Sequence, residues 1–404
     1  MRYRRAGLSL LYVSAALGPI YWLPLISIPT MYAIKIGVGA ALSIWLLLLR
    51  KRIQLSYRLL FISLIILLVS LLSSLIKNDI FFLEIAPIVI FLLFGNLLAQ
   101  AIELDDFLEA ISAAGVIFSM FASIIVIDLI LGGWFPNPYY TQYIVYVYES
   151  GLTGGRTAWA YASNLFLAIN LQGSLYYLAK NKRKAIFLLF CAAIVATNIL
   201  VVGARGGAVV AIFIILVFLA MLTRRKNSKL LISVLTALFF LSGAIFLVGF
   251  SDELRIITTL MQAGTRNLST LDSRFTSFSE GWMSFSSSPF FGTGSIFIDI
   301  GSAQAQIHNV WLRFIVERGV LFALPIIFTS LLIFRLSYLG ARSRHYQMLL
   351  LLSAGILTGL FEPKAIFGNY FASQIFWITA AFFLARGTAE ARPGNGTLVS
   401  SCSR

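Results

Sequence analysis

Charged residues are scarce in this chain. Only 12% of its 404 residues are Asp, Glu, Lys or Arg, whereas 59% are apolar, and the mean hydropathy is +0.90. A soluble domain averages about 25% charged and about 45–50% apolar residues. A chain with so little charge cannot cover a soluble surface, and it is too apolar to remain disordered. The composition therefore predicts an integral membrane protein.

Cysteine and histidine are also rare, with two of each. Cys191 and Cys402 alone cannot build a disulfide framework or a thiolate zinc site. The sequence contains no Walker loop, no Gly-x-Ser-x-Gly turn and, on its predicted outer side, no cluster of metal ligands. An ATPase, a serine hydrolase and a metal hydrolase are therefore unsupported, and we expect no metal and no other cofactor.

Apolar runs of about 20 residues, the length that a helix needs to cross a bilayer, are abundant. They predict an all-α integral membrane protein with about twelve transmembrane helices. The first run resembles a signal peptide, but it contains Pro19 and Pro24 and leads directly into a second run, so we interpret it as retained. The predicted spans are 8–28, 31–49, 59–76, 84–101, 110–131, 158–179, 185–203, 206–222, 230–250, 311–334, 347–361 and 371–385.

The net charge of +15 fits a membrane topology and does not imply nucleic-acid binding. With the N-terminus in the cytoplasm, 21 of the 31 basic residues fall on the cytoplasmic side, nine fall outside, and Lys35 lies within a span. This bias follows the positive-inside rule and places both termini in the cytoplasm. We expect residues 1–385 to form one membrane domain and residues 386–404 to form a disordered cytoplasmic tail.

The outer segment 251–310 is too long to be a simple connection, and structureless loops of that length are uncommon unless they are functional. Its amphipathic stretches, including Phe275, Phe278 and Trp282, predict short helices that lie on or dip into the outer membrane face. This segment is the candidate catalytic loop.

His308 ends that loop and is the only histidine on the predicted outer side, since His345 falls in a basic cytoplasmic loop. A histidine has an unperturbed pKa near about 6.5, so it can serve as a general base at neutral pH. The alternative is an interfacial histidine that only hydrogen-bonds a carbonyl group.

Arg205 lies at the outer side, before Gly206 and Gly207 at the predicted start of a helix. Exposed backbone N–H groups, the positive helix end and a guanidinium together suit a phosphate. The alternative is an arginine that reaches the interface beside helix-packing glycines. Five further arginines lie in or next to the outer loop, and their number suggests anion binding. For each of them except Arg274, a salt bridge or a lipid headgroup contact is the favoured explanation. They are Arg255, Arg266, Arg274, Arg313 and Arg318.

Several short motifs occur in order between about 203 and 320. They are Arg205-Gly206-Gly207, Arg274, Trp282, Pro289-x-x-Gly292-x-Gly294, His308-Asn309 and Glu317-x-Gly319. This order resembles the O-antigen ligase and polymerase superfamily of bacterial polysaccharide-assembly enzymes. One departure is Ala204, where the family usually has a serine before the arginine.

The resemblance implies a membrane glycosyltransferase with a fold like that of C-type enzymes, in the bacterial inner membrane, with its active site facing the periplasm. It implies transfer of a glycan from undecaprenyl diphosphate to a lipid A core sugar, with inversion and without metal or nucleotide. By this resemblance His308 is the general base, and Arg205, Arg274, Gly206 and Gly207 bind the donor diphosphate. The supporting candidates are Arg266, Arg313, Arg318, Glu317 and Asn309.

Two alternatives share part of this pattern. A repeat-unit polymerase of O-antigen or exopolysaccharide would use the same chemistry with a lipid-linked repeat as the acceptor. A transporter of anions or lipid-linked glycans would need charged sites near the midplane and related halves. Only Lys35 and Asp128 fit such sites and no repeat is detectable, so the sequence favours a glycosyltransferase over a transporter. The motifs separate a ligase from a polymerase poorly, and the ligase is the first expectation.

Overall fold

The computed structural model is helical and describes most of the chain. It describes residues 7–8, 28–48, 57–79, 81–130, 155–201, 205–223, 269–294, 298–300, 303–305, 307, 309–342, 348–361, 365–367 and 371–390. The α-helices in these ranges are α1 (Ile28–Leu48), α2 (Tyr57–Lys77), α3 (Phe81–Ala101), α4 (Leu104–Ile130), α5 (Gly155–Tyr177), α6 (Lys182–Val201), α7 (Arg205–Thr223), α8 (Ser269–Ser287), α9 (Val310–Arg342), α10 (Leu349–Thr358) and α11 (Phe371–Glu390).

Two small elements complete the described structure. A two-stranded antiparallel hairpin pairs β1 (Ile298–Ile300) with β2 (Ala303–Ala305). A single 3₁₀ turn spans Ala365–Phe367. The sequence did not predict the hairpin, which lies within the segment predicted as the catalytic loop.

Helices occupy ten of the twelve predicted spans. The predicted spans 230–250 and, apart from Leu8 and Ile28, 8–28 lie outside the described residues. Four stretches of the described helices are long and apolar enough to cross a membrane: Leu59–Lys77, Phe81–Ala101, Leu104–Ser123 and Val310–Leu339. The helical multi-pass membrane class is therefore confirmed, while the number of twelve spans stays a prediction.

Three helices extend several residues beyond the ends of the spans predicted from hydropathy. Helix α4 begins at Leu104 rather than near 110, because Asp105 and Asp106 occupy its first turn, where the helix dipole favours acidic groups. Helix α9 continues to Arg342. Helix α11 continues to Glu390, so the tail boundary expected at Arg386 falls inside a helix.

The core is centred on α5, whose residues from Trp159 to Tyr177 are all buried. Helices α4, α6, α7 and α10 contact it. Polar side chains link these helices: the Asn170 amide donates to Ser119 Oγ at 2.8 Å, and the Trp159 indole donates to Asn198 Oδ1 at 2.5 Å. Such interhelical hydrogen bonds stabilise packing where no hydrophobic force acts between helices in lipid.

Apolar side chains also cover the outer surface of the bundle. Helix α2 exposes a continuous apolar face, and so do α7 and α9. In a soluble protein such faces would drive association, whereas in a bilayer they contact lipid. The exposed residues on α2 include Leu60, Leu64, Leu68, Leu71, Leu75 and Ile76.

The bundle has two distinct ends. Helix α3 has 21 residues and therefore separates them by about 30 Å. At one end Arg386 Nη2 donates to the Ile102 carbonyl at 2.6 Å, and Lys180 pairs with Asp105 at 2.7 Å. The hydrogen bond with Asp105 raises the pKa of Lys180, which therefore stays cationic. The opposite end contains the α2–α3 connection and the starts of α7 and α9.

Candidate active site

Helix α9 starts directly after the predicted His308-Asn309 pair. The Asn309 side chain caps the helix, since its Oδ1 accepts hydrogen bonds from the backbone N–H groups of Trp311 and Leu312, each at 3.0 Å. Asparagine is among the preferred residues for this role. Asn309 thus fixes where the helix begins. His308 itself lies outside the described residues.

The turn at residues 359–361 joins the starts of α7 and α9. The backbone N–H of Val310 donates to the Gly359 carbonyl at 2.9 Å. A Cβ atom on Gly206 would lie 2.9 Å from Phe361 Cβ, so only glycine allows this close approach. The Asn164 amide on α5 donates to the Gly207 carbonyl at 3.0 Å. The first turn of α7 is therefore held against the turn that also holds α9.

Helix α8 packs on the start of α9 from another side. A Cβ atom on Gly281 would lie 2.7 Å from Ile307 Cδ1. Ile307 and Val316 are buried together, with partly buried neighbours on both helices: Phe278, Phe285 and Leu312. Arg274 lies seven residues before Gly281 on the same helix, a distance of about two turns.

The three motif segments therefore converge. The backbones of Gly206, Gly281 and Ile307 are all packed around the start of α9 or the turn that binds it. Of the predicted donor-binding residues, Arg205 and Arg274 have described backbones but no described side chains, and Arg266 lies outside the described residues. The roles of these arginines stay predictions.

Two glycine motifs pair with each other through their backbones. Gly292 and Gly319 have φ values of +70° and +67°, a region that L residues with a side chain rarely adopt. Thr293 and Gly294 donate to the carbonyls of Val316 and Glu317 at 3.1 and 3.0 Å. A Cβ atom on Gly292 or Gly319 would collide with backbone atoms of the opposite segment. Gly319 also interrupts α9.

The supporting candidates on α9 form buried ion pairs. Arg313 Nε donates to Glu317 Oε1 at 2.8 Å, and Arg313 Nη2 lies 3.7 Å from Glu84 Oε2. Arg318 Nη1 pairs with Asp79, and its guanidinium lies 3.9 Å from the centre of the Phe81 ring. These contacts connect α9 to the α2–α3 connection and to the first turn of α3.

Sequence reasoning missed three residues of this region: Lys77, Asp79 and Glu84. Lys77 Nζ donates to the Gly292 carbonyl at 2.5 Å, which ties α2 to the glycine turn. An acidic residue just before an apolar helix is a recognisable capping pattern, so Asp79 had a local signal. Its ion pair with Arg318 had none, because 239 positions separate the two residues.

The described side chains also include no group of three His, Cys, Asp or Glu residues arranged to hold a metal ion. Among the described side chains near the start of α9, guanidinium and carboxylate groups contact one another. Such an arrangement can fix backbone segments, and its arginines can lend positive potential to the region around them.

Comparison with known proteins gives one family match, to part of the chain. The sequence model described as O-antigen ligase matches residues 187–327. This match, over about a third of the chain, supports a resemblance to the O-antigen ligase and polymerase superfamily. No curated protein shows a significant match to the chain.

The O-antigen ligase match confirms the resemblance expected from the motifs. It covers α7, α8 and the first half of α9, and therefore the segments that meet at the start of α9. Members of this family are membrane glycosyltransferase-like enzymes that act on lipid-linked glycans. The match does not separate ligases from polymerases. The turn at 359–361 and the α2–α3 connection, which complete this region of the structure, lie outside the matched residues.

Proposed function

We propose that the protein is an O-antigen ligase. It transfers a glycan from undecaprenyl diphosphate to a sugar hydroxyl of the lipid A core, at the periplasmic face of the bacterial inner membrane. The observation that carries this proposal is the convergence of Gly206, Gly281 and Ile307 at one end of the bundle, since each belongs to or adjoins a motif segment assigned to the donor or the base.

The reaction is a single displacement at the anomeric carbon of the donor sugar. His308 removes the proton from the acceptor hydroxyl, whose oxygen forms the new glycosidic bond. The bond from the anomeric carbon to the diphosphate oxygen breaks, and undecaprenyl diphosphate leaves with the negative charge. One base without a covalent nucleophile gives inversion of configuration. The step requires neither a metal ion nor a nucleotide.

Donor binding uses the start of α7. Arg205 and the N–H groups of Gly206 and Gly207 face the diphosphate at the positive end of the helix dipole, and Arg274 on α8 supplies a second guanidinium. Charge develops on the diphosphate as the glycosidic bond breaks, so these donors stabilise the transition state more than the ground state. Arg266 is a further candidate in the same loop.

The membrane setting suits a lipid-linked donor. The polyprenyl tail stays in the bilayer, along the exposed apolar faces of α2, α7 and α9, while its diphosphate reaches the site at the interface. The end with Lys180, Lys182, Arg183 and Lys184 is cytoplasmic by the positive-inside rule. The start of α9, at the opposite end, then faces the periplasm.

The base assignment is tested in proteoliposomes that contain the purified protein, the lipid-linked glycan and lipid A core. Wild-type protein should form linked lipopolysaccharide in the presence of EDTA. His308→Ala should lower the rate by about 10²–10⁴-fold, the usual contribution of a general base. His345→Ala is the matched control, because it removes the only other histidine, and it should keep wild-type activity. Full activity of His308→Ala would contradict the assignment.

The acceptor is tested by leaving out the lipid A core. A ligase forms no product from lipid-linked glycan alone. Chain growth under that condition would show a repeat-unit polymerase and would contradict the ligase proposal. Movement of the lipid-linked glycan across the bilayer, with no product in either condition, would indicate a transporter.

A further inference from the structure

Asp79 connects two structural elements at the end of the bundle where α9 starts. Its Oδ1 accepts a hydrogen bond from the backbone N–H of Phe81 at 3.1 Å, which caps α3, and its Oδ2 accepts from Arg318 Nη1. The preceding residue, Asn78, has a φ of +50°, so the chain turns sharply here. Asp79 therefore holds α3 and α9 at once.

The contact continues along the inner side of α9. Arg318 Nη2 lies 3.9 Å from Glu317 Oε2, and Glu317 Oε1 accepts from Arg313 at 2.8 Å. Arg313 in turn lies 3.7 Å from Glu84 on α3. The side chains of Arg313, Glu317 and Arg318 are at most 4% exposed. Breaking one member of such a buried set leaves its partner charged and uncompensated.

These ion pairs contact a segment of α9 that is separated from the rest of the helix. Gly319 has φ 67° and ψ 172°, so it separates the segment 310–318 from the rest of α9. The orientation of this short segment is therefore not set by the long membrane-spanning part of the helix. It depends on lateral contacts. Two of these are backbone hydrogen bonds from the glycine turn to Val316 and Glu317, and one is the bond from Val310 to Gly359. The charged contacts include the ion pairs with Asp79 and Glu84.

We propose that Asp79 and Glu84 are positioning residues that orient the 310–318 segment and thereby place His308 for catalysis. The consequence for the reaction rests on the function proposed above for His308. Asn309 caps the 310–318 segment, and His308 directly precedes Asn309 in the chain. A tilt of the first turn of this segment would therefore move His308. In this account Arg313 and Arg318 act through their carboxylate partners rather than by binding the donor diphosphate.

The test compares two substitutions of Asp79 with a control substitution at Ser74, near the end of α2. Asp79→Asn keeps an oxygen that can cap α3 but removes the charge that faces Arg318. Ser74→Ala is the matched control, since Ser74 Oγ on α2 accepts from the Phe82 N–H of α3 at 2.7 Å across the same connection, and this bond involves no residue of α9. Asp79→Glu restores the charge with a longer side chain.

The kinetic readout separates positioning from binding. Asp79→Asn should lower kcat by about tenfold to a hundredfold, the effect expected of a displacement near 1 Å, with the KM for the lipid-linked donor unchanged. Ser74→Ala should keep kcat, and Asp79→Glu should recover part of it. Glu84→Gln is the milder variant if Asp79→Asn does not fold, because Arg313 keeps its ion pair with Glu317. Glu84→Gln should also lower kcat and leave the KM for the donor unchanged.

A second readout does not depend on glycan transfer. Diethyl pyrocarbonate modifies histidine, and the chain has only two histidines, so mass spectrometry can follow the rate at each. Asp79→Asn should change the modification rate of His308 and leave that of His345 as in the wild type. Ser74→Ala should change neither rate.

Three results would overturn the proposal. The first is wild-type kcat and wild-type His308 reactivity in Asp79→Asn. The second is an equal loss of activity in Ser74→Ala, which would show an effect of loop stability alone. The third is a raised donor KM at constant kcat, which would assign the arginines to the diphosphate. If the wild-type protein forms no glycan product, the proposed function fails, and the histidine modification rates still decide whether Asp79 positions His308.

Discussion

At the residue scale, the glycine positions explain motifs that have no reactive groups. Gly292 and Gly319 approach each other so closely that neither can carry a side chain, and the backbone hydrogen bonds around them join the glycine turn to α9. Gly206 has the same relation to Phe361. The motifs of this region therefore combine residues proposed for chemistry with residues that allow close backbone contact.

Substitution of Gly319 by alanine should destabilise the protein more than the same change at Gly294. Both residues have a positive φ, so each substitution introduces backbone strain of about 1–3 kcal/mol. A Cβ atom on Gly319 would also collide with the Phe290 carbonyl, whereas nothing lies within 4 Å of one on Gly294. Thermal unfolding of the detergent-solubilised variants, followed by size exclusion, measures the difference. Equal melting temperatures of the two variants would contradict the close backbone contact between the segments of Gly292 and Gly319.

At the element scale, the helices follow the hydropathy pattern where they are embedded and depart from it where they are polar. A run of apolar residues marks α2 and α3 within a few positions because the bilayer requires about 20 of them. The pattern cannot show the first turn of α4 or the last turn of α11, which contain Asp105 and Glu390. The first turn of α4 is stabilised by acidic side chains at the positive end of the helix dipole, a contribution that hydropathy does not measure.

Helix α8 occupies part of the segment 251–310, and the surface of this helix and of the turn after it predicts where they lie relative to the membrane. Trp282, Met283 and Phe290 are 60%, 63% and 69% exposed. The adjoining turn is hydrogen-bonded to the end of α2 through Lys77. The end of α2, a helix with an exposed apolar face, therefore lies beside this turn, and exposed apolar side chains here are expected for a segment at the membrane interface.

Spin labels can test the membrane contact of α8. In a variant without Cys191 and Cys402, nitroxides at Met283 and Phe290 should be relaxed more strongly by oxygen, which partitions into lipid, than by a water-soluble nickel complex. A label at Glu103, an exposed residue in the α3–α4 turn, is the aqueous control and should show the reverse. Labels at Met283 and Phe290 that behave like the one at Glu103 would contradict the interfacial placement.

At the scale of the whole molecule, the candidate site is assembled from segments far apart in sequence. The motifs identified Arg205, Arg274 and His308 because the resemblance to the O-antigen ligase superfamily marks them. They gave no indication of the turn at 359–361 or of Asp79, since these contribute backbone contacts and an ion pair that depend on the folded arrangement. Order along the chain was thus predictable here, whereas contact between distant segments was not.

The central claim is that the donor diphosphate binds where the starts of α7 and α9 meet. The most direct measurement uses an undecaprenyl diphosphate analogue with a photoreactive group next to the diphosphate, followed by peptide mapping of the cross-linked protein. We predict adducts in 203–209, 307–312 and 359–361, which excess unlabelled lipid-linked donor should abolish. Adducts confined to 102–109 and 178–184, at the opposite end of the bundle, would contradict the account.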